Sequence, residues 1–265
     1  MQKNVIVTGG SSGIGHSIAT KLIDLGFNVF IFSRRPPSEW ECKMPQKWNP
    51  STNWVEVDFT STSNLESTIQ SWLTSHGEQL AMLVHSAIDY GSNKRRPFTS
   101  IDIDEWERVF KVNVHSLFLL AKMLTPQIVQ NGGGLIVPIS SEVAYNSGPG
   151  RIDYAASKAA ASSLVQSLVD ETEDLPINIV SLLPEGMVNT PGIQKRRVKG
   201  DPVLEEYAPP TSFQQPIIDI VSDMGKSLHG KVYSVNSQGK MTDIEGKKLI
   251  SNTRETDIGF ACEEV

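Results

Sequence analysis

Cysteine is nearly absent from this chain. Two in 265 residues, Cys42 and Cys262, lie far apart and share no CxxC spacing, which excludes a disulfide framework and a cysteine-based zinc site. A reducing, cytoplasmic setting is therefore expected. A basic excess is missing too: 24 Lys and Arg stand against 30 Asp and Glu, a formal charge of −6. Phosphate backbones attract the opposite balance, so no nucleic acid partner is expected. No apolar run reaches the roughly 18–20 residues that a membrane span needs. The start, Met1-Gln2-Lys3-Asn4, enters an apolar stretch too short for a signal peptide. His16, His115 and His229 have no partner at ligand spacing, and no metal is expected.

What the chain does have is rhythm. Seven short apolar runs, at 5–7, 29–32, 54–57, 82–84, 135–137, 177–180 and 232–235, alternate with helical patterns at 14–25, 63–75, 104–130, 153–170 and 217–227. Continuous apolar runs suit strands covered on both faces, and strand–helix alternation implies right-handed crossovers. The expected fold is α/β: a doubly wound, seven-stranded parallel sheet with helices on both faces. Residues 1–239 read as one domain. The Pro- and Trp-rich stretch 36–53 reads as an extended loop, 184–212 as a lid over a site, and 240–265 as a tail or added hairpin.

The first run ends in Thr8-Gly9-Gly10-Ser11-Ser12-Gly13-Ile14-Gly15, and a helix follows. Glycine lets the backbone turn sharply and approach a phosphate closely, and a helix N-terminus offers free N–H groups to a pyrophosphate. An ordinary Gly-rich turn is the alternative. At the end of the second run, where an acid would hold the adenosine ribose hydroxyls and select NAD, stand Arg34 and Arg35. A guanidinium suits a 2′-phosphate, so NADP(H) is favoured over NAD with Arg34 as the contact. Tyr154 and Lys158, four apart, share one face of a helical pattern. A tyrosine is a poor acid near neutral pH, and a neighbouring ammonium would improve it.

Ser141 lies thirteen residues before Tyr154, and Asn113 falls within the long fourth helical segment. With TGxxxGxG and YxxxK in this order, residues 4–239 resemble the short-chain dehydrogenase/reductase family, whose fold is the Rossmann type. The resemblance implies hydride transfer between NADP(H) and a carbonyl or alcohol. Tyr154 would be the acid, Lys158 would lower its pKa and hold the nicotinamide ribose, Ser141 would bond the substrate oxygen, and Asn113 would hold a relay water. It further implies cofactor contacts at Gly9, Ser11, Ser12, Gly13, Ile14, Gly15, Asp58, Ala87, Val188 and Thr190, and a homodimer or homotetramer. An NAD-dependent alcohol dehydrogenase and a catalytically silent NAD(P)-binding regulator are the alternatives.

Three departures stand out. His85-Ser86-Ala87-Ile88 replaces the family's Asn-Asn-Ala-Gly, keeping only the alanine, and His85 is expected to be buried and neutral. Glu185 follows Pro184 where a glycine is usual. Pro138 sits in an expected central strand, where its missing N–H calls for a bulge or strand end.

Overall fold

Strands apolar on both sides need a helix on each face, and the chain supplies them in turn. The computed structural model describes residues 2–92, 94–197 and 206–244; part of the expected lid, 198–205, and most of the expected tail, 245–265, lie outside the described residues. The first half runs β1 (Asn4–Thr8), α1 (Gly13–Asp24), β2 (Asn28–Ser33), α2 (Pro50–Asn53), β3 (Trp54–Glu56), α3 (Thr62–His76) and β4 (Leu80–His85). The second half runs α4 (Ile103–Phe110), α5 (Ser116–Gln130), β5 (Gly134–Pro138), α6 (Ile152–Glu171), β6 (Ile177–Ile179), β7 (Ser181–Pro184), α7 (Pro191–Gln194), α8 (Gln214–Val221), β8 (Val232–Val235) and β9 (Met241–Asp243).

Six strands pair in parallel in the order β3-β2-β1-β4-β5-β6. The chain winds outward one way from β1 and the other way from β4, so a crevice opens beyond the C-terminal ends of these two strands. Alternate side chains of β1 feed two cores. Val5 and Val7 pack with Ile18 and Leu22 of α1 and Ile217 and Ile220 of α8, while Ile6 packs with Leu120 and Leu124 of α5.

The expected seventh strand is present, but the sheet is divided. β7, β8 and β9 form a second sheet, with β8 parallel to β7 and β9 antiparallel to β8. Pro138 is the physical reason. On the β4 side the donor is Ile139, whose N–H meets the His85 carbonyl at 2.9 Å, so the nitrogen of Pro138 faces the other neighbour. There Val180 N–H reaches the Ile136 carbonyl at 3.1 Å, but Pro138 has no N–H to return to Val180. Pairing resumes only at Ser140, whose N–H meets the Leu182 carbonyl at 2.7 Å.

Two segments differ in part from the sequence reading. The stretch 36–53 is largely the loop expected, ending in α2, but it is anchored in the core: Trp40 and Trp48 are buried with ring centroids 5.5 Å apart, and Trp48 Nε1 donates to the Val29 carbonyl at 2.9 Å. The 104–130 helix carries a π-turn at Lys111–His115 between α4 and α5. With that turn it is a continuous segment, Ile103–Gln130, long and apolar enough by length and composition to cross a membrane, contrary to the sequence reading. In this fold its apolar side packs on the sheet through Leu117, Leu120, Leu124 and Ile128, and 44% of the apolar window is buried.

Candidate active site

The glycine loop is shaped by close backbone approach. Gly9 has φ +66°, and a Cβ there would stand 2.8 Å from the backbone N of Ala87. At Gly15 a Cβ would stand 2.7 Å from the Gly9 carbonyl oxygen. Thr8 secures this approach, since its hydroxyl accepts the N–H groups of Ser86 and Ala87, each at 3.0 Å. Ser12 caps α1 in an extended conformation and no side chain bonds the helix N-terminus. Ser11, Ser12, Gly13 and Ile14 are part-exposed at that end. A cradle with no room for a Cβ, opening on an uncapped helix start, fits a pyrophosphate.

At the adenosine end, Arg34 is exposed and shares a recess of about 380 Å³ with Glu56, Asp58 and Asn64. The Arg35 carbonyl accepts from Trp40 Nε1 at 2.8 Å and from the Ser33 hydroxyl at 3.1 Å, which fixes the turn that carries Arg34. Asp58 spends Oδ1 on Thr60, accepting both its N–H and its hydroxyl at 2.9 Å. That oxygen shapes a turn.

Tyr154 and Ser141 are brought together. Both are buried, and the Ser141 hydroxyl is one of the groups that favour the phenolate of Tyr154. Lys158 and Asn113 line a separate cavity of about 310 Å³ beneath α6, together with His85 and Ser140. The expected support of the phenol by the ammonium differs here. Lys158 Nζ donates to the Ile139 carbonyl at 2.9 Å, and burial pushes its pKa down to about 8. Burial raises the phenol above its ordinary value, with Tyr90 adding to the rise; the groups that oppose this are Ser141, Arg151 and Arg196. A lone amine drawn into an apolar helix–sheet interface needs an acceptor, and the Ile139 carbonyl, one residue past the end of β5, supplies it.

Asn113 also differs from a simple water holder. Its Nδ2 donates to the Asp89 carbonyl at 2.7 Å and to Ser157 Oγ at 2.9 Å, and its Oδ1 accepts the Asp89 N–H at 2.8 Å. Ser157 in turn donates to the Tyr154 carbonyl at 2.8 Å. The side chain thus ties the segment after β4 to the first turn of α6. His85 is buried as expected. Its Nε2 meets Ser116 Oγ at 2.9 Å, and because that hydroxyl donates to the Val112 carbonyl at 2.6 Å, the ring nitrogen is the donor. Burial, with Lys158 nearby, pushes its pKa down to about 3.

The sequence reading missed Tyr90 and Arg196. The Tyr90 ring lies 5.0 Å from the Tyr154 ring, and the Arg196 guanidinium lies 4.4 Å from the centre of Tyr90. Tyr90 packs against α7, where a Cβ on Gly192 would stand 3.0 Å from its ring, and Thr190, the N-cap of α7, is packed against Gly13; a Cβ on that glycine would stand 3.0 Å from Thr190 Cγ2. One chain of contacts therefore links the glycine loop to Tyr154. Val188 is buried nearby and bridges Ala208, whereas Glu185 faces solvent. No local signal marks Tyr90 or Arg196; a tyrosine and an arginine in loops acquire meaning only when the crevice closes.

Known proteins carry the same framework. Residues 3–200 match the family model for short chain dehydrogenase. A 7alpha-hydroxysteroid dehydrogenase of Escherichia coli is 25% identical over 245 residues, covering 89% of this chain and 94% of that one. A short chain dehydrogenase structure from Shigella flexneri, complexed with NADP, superposes with a TM-score of 0.73 at 22% identity, over 89% of this chain and 97% of that one. A 3-ketoacyl-(acyl-carrier-protein) reductase from Brucella melitensis, complexed with NADH, gives 0.74 at 20% identity, over 90% and 98%. The family match covers most of the chain, including the glycine loop, Asn113, Ser141, Tyr154 and Lys158, and the chain belongs to the short chain dehydrogenase family of nucleotide-binding oxidoreductases.

Proposed function

We propose that this protein is an NADP(H)-dependent oxidoreductase that interconverts a carbonyl and an alcohol, with Tyr154 as acid and base. The observation that carries the reading is the Tyr154–Ser141 pair, buried at the end of a contact chain that starts on the glycine loop. The dinucleotide supplies the hydride when bound. Gly9, Ser11, Ser12, Gly13, Ile14 and Gly15 would hold its pyrophosphate, Arg34 its 2′-phosphate, Asp58 its adenine, and Ala87, Val188 and Thr190 its ribose and carboxamide. Ser141 donates to the substrate oxygen and steadies the developing alkoxide. Tyr154 delivers a proton to that oxygen, and Arg151 and Arg196 favour the phenolate left behind. Lys158 would hold the nicotinamide ribose, and Asn113 keeps the Asp89 segment and α6 in register.

The absence of an acid after β2 supports NADP(H), as does the NADP complex of the Shigella chain; the NADH complex of the Brucella chain keeps NAD in play. Exposed Ile103, Phe118 and Ile152, on α4, α5 and α6, favour self-association. The cysteine usage supports a cytoplasmic setting. Replacing Tyr154 by Phe is expected to cut turnover by about a thousandfold or more while cofactor still binds. The test is cofactor oxidation across a panel of carbonyls, with binding followed by titration calorimetry. A variant as active as the parent refutes the assignment, and binding without turnover in either would favour the regulator.

A further inference from the structure

The arginines around Tyr90 and Tyr154 are not all paired. Arg96 is paired with Glu105 and Arg108 with Asp89. Arg151 and Arg196 are different: among the described residues neither has an ion-pair partner, each is half-buried, and the Nε of each is buried without a hydrogen-bond acceptor. Arg196 spends two of its N–H groups on the walls of the crevice, Nη1 on the Gly192 carbonyl at 2.9 Å and Nη2 on the Gly91 carbonyl at 3.1 Å. That places its charge over Tyr90, whose ring lies against Tyr154. Arg151 caps the N-terminus of α6, three residues before Tyr154.

The neighbouring acids do not meet this demand. Asp89 is held by Arg108, and Glu105 by Arg96. Asp153 spends Oδ1 on the Tyr154 N–H. Glu142 faces Arg151 without coming within ion-pair distance, and it is itself drawn toward its neutral form by burial. A guanidinium that is partly stripped of water and unpaired among the described residues, as that of Arg196 is, is costly unless an anion joins it. Its remaining N–H groups suit a carboxylate or phosphate oxygen.

The geometry points to a substrate that carries an oxyanion, carboxylate or phosphate, on the same molecule as the reacting carbonyl, held by Arg196 over Tyr90 and so beside Tyr154. This rests on the reductase reading above and narrows its substrate class to oxo acids or phosphorylated carbonyl compounds. The test measures kcat/KM for NADPH-dependent reduction of straight-chain oxo acids against their methyl esters, and of an aldehyde phosphate against the free aldehyde. The expected result is a preference of about tenfold or more for the charged member of at least one pair, and which pair responds identifies the anion. Arg196→Gln should reduce that preference by about tenfold, and Arg196→Lys, which keeps the charge and loses the fork, should fall between. Neutral compounds turned over as well as their charged partners by the unaltered enzyme overturn the proposal, whatever the variants do. So does an Arg196→Gln enzyme whose preference is intact and whose only defect is a raised KM for NADPH. No turnover with any carbonyl, in the parent and in Tyr154→Phe alike, would strike the reductase reading itself and this proposal with it.

Discussion

Lowering the pH from 7 to 5 is expected to cost this protein about 2 kcal/mol of stability through His85 alone. The ring is buried, and its pKa is pushed from 6.5 to about 3, first by desolvation and then by the Lys158 charge. In the unfolded chain the same ring takes up a proton below pH 6.5. The folded state refuses that proton until about pH 3, so the unfolded state binds more protons throughout this window. Stability is therefore full above pH 6.5 and is lost as the pH falls, at about 1.4 kcal/mol per pH unit, with no further loss below about pH 3. Other carboxylates and histidines titrate in the same range, so the measurement is a difference of differences. Urea unfolding of the parent and of His85→Asn, followed by tryptophan fluorescence at pH 7 and pH 5, isolates the single ring. Asparagine can still donate to Ser116 and does not titrate. The parent should lose about 2 kcal/mol more than the variant between the two pH values. Equal losses would show that the ring is charged in the folded state, and the account of its burial and tautomer would fail.

Arg34→Ala should weaken NADPH binding by about 1–3 kcal/mol and leave NADH nearly unchanged, as read by titration calorimetry; equal losses for both would remove Arg34 from the 2′-phosphate. Gly9→Ala should destabilise the fold by about 1–3 kcal/mol, because φ is +66° and the new Cβ would meet the Ala87 backbone at 2.8 Å. A variant with an unshifted unfolding midpoint would contradict that packing. In Pro138→Val the restored N–H should bond the Val180 carbonyl and exchange with solvent at least about a hundredfold more slowly than an open amide. Free exchange at position 138 would mean that something other than the missing donor divides the sheet.

Some of this molecule was plain in its sequence because the cause is local. Seven apolar runs became strands, and those of β1, β2, β4 and β5 are too continuous to face water on either side. Pro138 announced the break in the ladder because a missing N–H is visible from the residue type alone; what it could not announce is that the break would fall on the β6 side. The glycine loop was legible for the same reason: positive φ and close approach leave only one residue type. The loop at 36–53 was legible from its prolines, but its anchoring was not: the indoles of Trp40 and Trp48 bury in the core beside β2. Lys158 was misjudged in one respect, since helix spacing places it beside Tyr154 but does not reveal the Ile139 carbonyl that takes its ammonium. Tyr90, Arg151 and Arg196 were illegible as a group. Each lies in a loop or cap with no spacing rule, and only the fold brings 90, 151 and 196 to one phenol.

The division at Pro138 leaves two sheets whose outermost described members, β3 and β9, are three residues each. A foreign strand approaching sideways would find few unpaired backbone groups to latch onto at either flank. Fibrillar stacking through these short edges is thereby discouraged.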